Sequence, residues 1–193
     1  MIRKIIGLDL DNTLIDYSKS IEIYSTKYLG TSYSNVIQIR NALKNQSLGI
    51  EWQRAQSWMY TEGLFYAHLA EGAVELLDKS FERSEAVHII SHKTTNTPEK
   101  FGYLDLRTPA KAWIERNLEP YGIDLSYVHF EPSRAGKIER IKELKITHFV
   151  DDLIEVLTDR KFPKTVKKYL YSPFEESINS DTDLIVIKRL DQV

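Results

Sequence analysis

Two acidic side chains follow the first apolar segment of the chain, in the pattern Asp9-Leu10-Asp11-Asn12-Thr13. Because Asp9 and Asp11 are two residues apart, one carboxylate could act as a nucleophile while the other transfers a proton at the same centre. A second acidic pair, Asp151-Asp152, follows another apolar segment late in the chain. Buried carboxylates that lie close together need a compensating cation, so the two pairs predict a metal site if the fold brings them together.

Hydroxyl and basic side chains stand at two other places in the chain, the end of an apolar segment and the start of a predicted helix. Ser91-His92-Lys93 ends a further apolar segment, and Lys137 lies where a loop turns into a predicted helix. A hydroxyl group can donate a hydrogen bond to an anion, and an ammonium group can neutralise its charge. The same site is therefore expected to receive an anionic ligand as well as a metal ion.

Short apolar segments alternate with helical patterns through most of the chain. The segments that predict buried strands are residues 4–10, 86–90, 127–130, 146–150, 168–171 and 184–187. Helices are predicted over residues 73–81 and 138–144, and a third begins at Thr108-Pro109, with Thr108 as the N-cap. This alternation predicts an α/β fold with a doubly wound parallel sheet. Ligands bind beyond the carboxyl ends of such strands, where the polar residues described above stand.

Residues 16–70 do not follow this alternation. They predict three helices, at roughly 18–29, 34–46 and 50–69, and are rich in aromatic residues. We expect an all-helical cap domain at 16–70, inserted into a core formed by residues 1–15 and 71–193. The aromatic side chains either fill the core of this small domain or line a substrate pocket, and the sequence leaves both open.

The four motifs, in this order and on these elements, resemble those of the haloacid dehalogenase (HAD) superfamily of phosphohydrolases. That family has an Asp-x-Asp-x-Thr motif after the first strand, a Ser or Thr after the second, a Lys near a helix start and paired acids after the fourth strand. The resemblance covers residues 1–15 and about 71–193, with the motifs at Asp9–Thr13, Ser91, Lys137 and Asp151-Asp152. The helical insertion is similar to the family's cap of the first type.

The resemblance implies a magnesium-dependent phosphatase that works through an aspartyl-phosphate on Asp9. Asp11 would be the general acid and base, and Thr13 would support the loop through hydrogen bonds. Ser91 would donate a hydrogen bond to the transferred phosphoryl group, and Lys137 would neutralise charge on that group and on Asp9. Ser91, His92 and Lys93 are the expected substrate-binding residues. The expected Mg²⁺ ligands are Asp9, the backbone carbonyl of Asp11, Asp151 and Asp152, and Glu155 is the alternative to Asp152 as second acid.

Composition narrows the range of partners. The chain has no cysteine, which excludes disulfides and thiolate metal sites. A net charge of -2 argues against a nucleic-acid partner, and no apolar run is long enough for a membrane span or a signal peptide. We expect a cytoplasmic enzyme acting on a small phosphorylated metabolite. The substrate's identity and the oligomeric state are not indicated.

A response-regulator receiver domain is excluded because its phosphorylated Asp lies on a middle strand, whereas Asp9 follows the first. A dehalogenase is disfavoured because halide displacement does not need Asp11. A phosphomutase or phosphotransferase, and a catalytically silent protein that binds a phosphate ligand, remain open. The connection from His92 to Arg107, which has no clear helix or strand pattern, is expected to lie over the site.

Overall fold

The computed structural model describes residues 4–45, 49–174 and 183–193. Its strands, in chain order, are β1 (Ile5–Leu8), β2 (Ile15–Asp16), β3 (His68–Leu69), β4 (Ala86–His92), β5 (Val128–Glu131), β6 (His148–Asp151), β7 (Lys167–Tyr171) and β8 (Ile185–Ile187). Six of them form one sheet in the order β5-β4-β1-β6-β7-β8, and every neighbouring pair is parallel. All six predicted strands are present, within about two residues at their ends.

Helices cover both faces of this sheet. In chain order the helices are α1 (Ser18–Leu29), α2 (Val36–Asn45), α3 (Gly49–Met59), α4 (Ala73–Glu82), α5 (Arg107–Leu118), α6 (Arg134–Glu143) and α7 (Ile154–Leu157). Ile89 of β4 packs in one hydrophobic cluster with Leu76 of α4 and Trp113 of α5. The next residue, Ile90, packs in a second cluster with Ile138 of α6, as the alternation of side chains along a strand requires. The predicted doubly wound α/β fold is confirmed.

The strands that carry the two acidic pairs, β1 and β6, are direct neighbours in the sheet. Gly7 of β1 lies opposite Phe149 of β6. A Cβ atom at Gly7 would stand 2.6 Å from Cδ2 of Phe149, so glycine lets this ring pack against β1. The close packing fixes the two strands whose ends lead into Asp9 and Asp151.

The helical insertion, residues 18–66, lies between β2 and β3. These two short strands pair antiparallel, so the chain leaves the core and returns to it at one place. The side chains of Ile21, Ile39 and Met59 belong to the same hydrophobic cluster as Leu14 and the sheet. The division into a core and a cap at residues 16–70 therefore stays a prediction, since the insertion shares its apolar core with the rest of the chain.

Three helix predictions are wrong at their ends. α6 begins at Arg134 rather than at residue 138. The helix predicted at 50–69 stops at Met59, and a 3-10 helix (Glu62–Tyr66) and β3 follow it. α5 begins at Arg107 rather than at Pro109, and Thr108 is not its N-cap. The Asp105 carboxylate instead accepts hydrogen bonds from the backbone N–H groups of Arg107 (2.8 Å) and Thr108 (3.2 Å).

The connection between β4 and α5 folds back on itself. It contains a 3-10 helix, Glu99–Phe101, and its two sides are joined by hydrogen bonds from Thr97 N to Leu104 O and from Leu106 N to Thr95 O, both 2.8 Å. The guanidinium group of Arg107 donates two bonds to the carbonyl oxygen of Lys93, at 2.9 and 3.1 Å. These contacts hold the backbone at Lys93 where the chain leaves the sheet.

Among the helices of the described residues, none has the length and apolar character that a membrane span needs.

Candidate active site

The turn after β1 brings Asp9 and Asp11 to one cavity. The backbone N–H of Asp9 donates to Val150 O (2.9 Å), which ties it to β6. The chain then closes on Leu10, whose carbonyl oxygen accepts from the backbone N–H groups of Leu14 (3.0 Å) and Ile15 (2.9 Å). This tight turn places the side chains of Asp9 and Asp11 in the wall of the cavity.

The interpretation of Thr13 as a hydrogen-bonding support of this loop is wrong. Its hydroxyl oxygen is buried and has no hydrogen-bond partner in the part of the chain that the structure describes. The loop is instead closed by the backbone bonds to Leu10. Asn12, with φ of 62°, supplies the left-handed conformation that the turn needs, which asparagine tolerates better than most residues.

Lys137 lies between two carboxylates. α6 begins after Ser133, whose side chain accepts a hydrogen bond from Gly136 N as an N-cap. One turn into this helix, the Lys137 ammonium group donates to Asp9 Oδ1 and to Asp151 Oδ2, each at 2.6 Å. Burial opposes the charge of Lys137, but Asp151 and Asp9 outweigh it and raise its pKa, so the ammonium form is retained. The contact with Asp9 was expected from the sequence, whereas the one with Asp151 was not.

Three carboxylates form a cluster suited to a divalent cation. Asp9, Asp151 and Asp152 each offer one oxygen, and these oxygens lie within 4.8 Å of one another. Burial raises the pKa of Asp9 to about 7 even though Lys137 lowers it. Burial also raises the pKa of Asp152, and Asp151 and Asp9 raise it further. One ammonium group is thus too little positive charge for three clustered acids, two of them buried and the third partly buried. An all-oxygen donor set is what Mg²⁺ prefers.

The Asp11 carboxylate takes a different set of partners. It accepts a hydrogen bond from the Tyr17 hydroxyl (2.6 Å) and pairs with the Lys93 ammonium group, which lies 2.8 Å from Oδ2. The Lys93 nitrogen also stands 4.4 Å from the centre of the Tyr60 ring. Burial and the neighbouring Asp11 raise the pKa of Tyr17. Tyr17 therefore stays protonated, and its hydroxyl group donates a hydrogen bond to Asp11. Lys93 was expected to contact the substrate, but its ammonium group is bound to the Asp11 carboxylate.

The cavity holds most of the residues that the sequence singled out. Its volume is about 360 Å³, and its wall includes Asp9, Asp11, Asn12, Val36, Arg40, Lys44, Trp52, Gln56, Tyr60, Ser91, His92, Lys93, Thr94, Leu106, Arg134, Lys137, Asp152, Leu153 and Val156. Asp151 is fully buried behind it and reaches it through Lys137. Ser91 is buried near the end of β4 and lines the cavity. The side chain of His92 is exposed at the cavity wall. Neighbouring protein atoms remove part of its hydration, which lowers its pKa.

Glu155, the alternative second acid, is placed elsewhere. It lines a neighbouring cavity of about 190 Å³ and is absent from the wall that holds Asp9. Asp152 lines both cavities and belongs to the carboxylate cluster. The geometry therefore favours Asp152 as the acid that accompanies Asp151.

Sequence reasoning missed the tyrosines around Asp11 and the cations of α2. Tyr17 and Tyr60 carried no pattern that distinguished them from core aromatics. Arg40 and Lys44 did leave a signal, because with Val36 they recur every fourth residue and so share one face of a helix. That face lines the cavity.

No protein-family model matches the sequence, and no curated protein matches it either. Solved structures do match. A HAD-superfamily hydrolase from Ehrlichia chaffeensis is 20% identical, with 100% of this chain and 95% of that chain covered and a TM-score of 0.50. A predicted phosphatase from Clostridium acetobutylicum is 16% identical, with 96% and 94% covered and a TM-score of 0.58.

Protein Tyrosine Kinase A (PtkA) from Mycobacterium tuberculosis is 13% identical, with 98% and 95% covered and a TM-score of 0.59. These names range from hydrolase to kinase, so the likeness establishes the fold, and the activity has to be argued from the site. The chain has the fold of the haloacid dehalogenase superfamily.

Proposed function

We propose that this protein is a magnesium-dependent phosphatase that hydrolyses a small phosphate monoester through an aspartyl-phosphate on Asp9. The observation that carries this proposal is the cluster in which Lys137 lies between Asp9 and Asp151 with Asp152 beside them. A nucleophile, a compensating ammonium group and a set of metal-type oxygen ligands thus meet at one point. Asp11, two residues after Asp9 in the chain, lines the same cavity.

In the first step the Asp9 carboxylate attacks the phosphorus atom of the monoester. Oδ1 is held by Lys137, and Oδ2 accepts no hydrogen bond from the described residues, so Oδ2 is the attacking atom. The new oxygen–phosphorus bond forms as the bond from phosphorus to the alcohol oxygen breaks. The protonated Asp11 carboxyl gives its proton to the departing oxygen.

In the second step water hydrolyses the aspartyl-phosphate. The Asp11 carboxylate takes a proton from the water as its oxygen attacks phosphorus, and the bond to Asp9 breaks, which releases inorganic phosphate. Tyr17 and Lys93 position the Asp11 carboxylate for this second step. Lys137 offsets charge on Asp9 and on the transferred group, and Ser91 donates a hydrogen bond to a phosphoryl oxygen.

Asp9, Asp151 and Asp152, together with the backbone carbonyl of Asp11, would hold Mg²⁺. When bound, Mg²⁺ supplies positive charge against the phosphoryl oxygens and the crowded carboxylates. Residues 18–66 would act as a cap that closes over a small substrate and keeps bulk water out.

The activity test uses a generic aryl phosphate. Purified protein is expected to release inorganic phosphate in the presence of Mg²⁺ and to lose this activity in excess chelator, with recovery when Mg²⁺ is restored. Activity that persists in chelator would contradict the metal assignment. Transfer of the phosphoryl group to an added alcohol, without phosphate release, would instead identify a phosphotransferase.

The metal ligands can be tested without turnover. Mg²⁺ binds the folded protein, so the melting temperature of the wild type should rise with its concentration. Asp152→Asn is expected to lose most of this rise, because it removes one of the three clustered carboxylates. Glu155→Gln is the matched control and should keep it. The opposite result for the two variants would make Glu155 the second acid.

A further inference from the structure

The face of α2 that lines the cavity carries two positive charges. Val36, Arg40 and Lys44 are each four residues apart and all belong to the cavity wall. On the adjacent face of the helix, Ile39 and Leu43 are buried in the main hydrophobic cluster. Four residues correspond to roughly 6 Å along a helix axis, so Arg40 and Lys44 form two cationic positions about one turn apart.

These two cations are not needed by the acids of the site. Asp9 and Asp151 are bonded to Lys137, and Asp11 is bonded to Lys93. Within the described ranges, neither Arg40 nor Lys44 takes part in any ion pair or hydrogen bond. The cavity wall as a whole has five lysine and arginine side chains against three carboxylates. Mg²⁺ at the carboxylate cluster would increase this positive excess.

Solvation alone is a poor account of Arg40, because it is half-buried on the face that lines the cavity. Other cations of the insertion point elsewhere and have acidic neighbours. Lys19 pairs with Glu22 at 2.8 Å, and Arg54 lies 3.6 Å from Glu51. An unpaired, half-buried guanidinium group in a cavity wall is a binding group for an anion.

We propose that Arg40 and Lys44 form a second anion subsite, so that the substrate is a small phosphate monoester carrying a further phosphate or carboxylate group. This inference rests on the proposed function for the position of the scissile phosphate. The remaining wall between the subsites includes Trp52, Gln56 and Tyr60, which offer apolar contact and hydrogen bonds to a polar carbon skeleton. A volume of about 360 Å³ is small for a ligand pocket, which fits a compact diacid.

Binding to the Asp9→Asn variant with Mg²⁺ tests the subsite without turnover. Three ligands derive from one six-carbon sugar: glucose 6-phosphate has a single acidic group, the open-chain 6-phosphogluconate adds a carboxylate, and the pyranose glucose 1,6-bisphosphate adds a second phosphate. By calorimetry, at least one of the last two should bind at least about tenfold more tightly than glucose 6-phosphate, as one additional charge-assisted contact provides. Which of them gains affinity tells whether the subsite takes a carboxylate or a phosphate.

Adding Arg40→Gln and Lys44→Gln should remove this preference and leave the affinity for glucose 6-phosphate within about twofold. Arg54→Gln, the same change elsewhere on the insertion, should keep the preference. Equal binding of all three ligands, no binding of any, or a preference that survives the double change would overturn the subsite. Hydrolysis of these ligands by the wild-type protein is measured separately, so a protein that binds diacids selectively without hydrolysing them would refute only the phosphatase.

Discussion

Asp9→Asn is expected to abolish phosphate release. The amide is a poor nucleophile and cannot form the acyl phosphate on which the second step depends. Asp11→Asn should be less severe, because loss of general acid–base help costs about 10²–10⁴-fold and leaves the nucleophile intact. The measurement is phosphate release from an aryl phosphate at saturating Mg²⁺ and substrate, with both variants beside the wild type.

The folded state of Asp9→Asn has to be verified, and the structure indicates that it will be retained. Burial already makes a negative charge at Asp9 costly, as its pKa of about 7 reflects, and the amide has nearly the same shape. Lys137 keeps its bond to Asp151 in the variant. A melting temperature close to that of the metal-free wild type is therefore expected. If Asp9→Asn kept more activity than Asp11→Asn, the roles of the two aspartates would be exchanged.

Much of the site could be predicted because the fold depends on a simple pattern. Buried parallel strands are short apolar segments, and the residue that follows each of them stands at the same edge of the sheet. Asp9 after β1 and Asp151 at the end of β6 therefore had to lie at the same edge once the strands were located, and the strand order of the structure makes them neighbours. The α6 lysine is one turn from a helix start at that edge, which is why Lys137 could be connected with Asp9 in advance.

The partners of long side chains could not be predicted in this way. Lys93 is two residues past Ser91 on a strand end, and whether its ammonium group meets substrate or Asp11 depends on Tyr60 and on the anchoring of its backbone by Arg107. These contacts come from three separate parts of the chain. Thr13 is a similar case, since a hydroxyl group in a tight turn normally finds a local acceptor and here the backbone closes the turn instead.

The end of α3 was missed for a related reason. The first glycine or proline after Met59 is Gly63, which stands four residues too late to mark the end of the helix. The chain changes direction because β3 has to return beside β2, a tertiary requirement. The start of α5 was misplaced because the capping group belongs to Asp105, two residues before the first helical residue.

Lys137→Met is expected to lower turnover at saturating substrate by at least about 10²-fold. A well-placed electrostatic contact to the transferred group contributes roughly 3–4 kcal/mol in the transition state, and methionine keeps most of the bulk while removing the charge. Because this charge acts on the phosphoryl group, the loss should be similar for every leaving group.

Lys93→Met is the informative comparison, since the same change removes an ammonium group that contacts Asp11 instead of Asp9. Asp11 donates its proton to the departing oxygen, and an alkoxide needs that proton far more than an acidic phenolate does. Lys93→Met should therefore reduce turnover of an alkyl phosphate by at least about tenfold more than that of a nitrophenyl phosphate.

The two variants are assayed on both substrates, with the melting temperature as the check on folding. An equal loss on both substrates in Lys93→Met would show that Lys93 does not assist the proton transfer to the leaving group. A nearly silent Lys137→Met beside an inactive Lys93→Met would move the phosphoryl-binding role from α6 to the loop after β4.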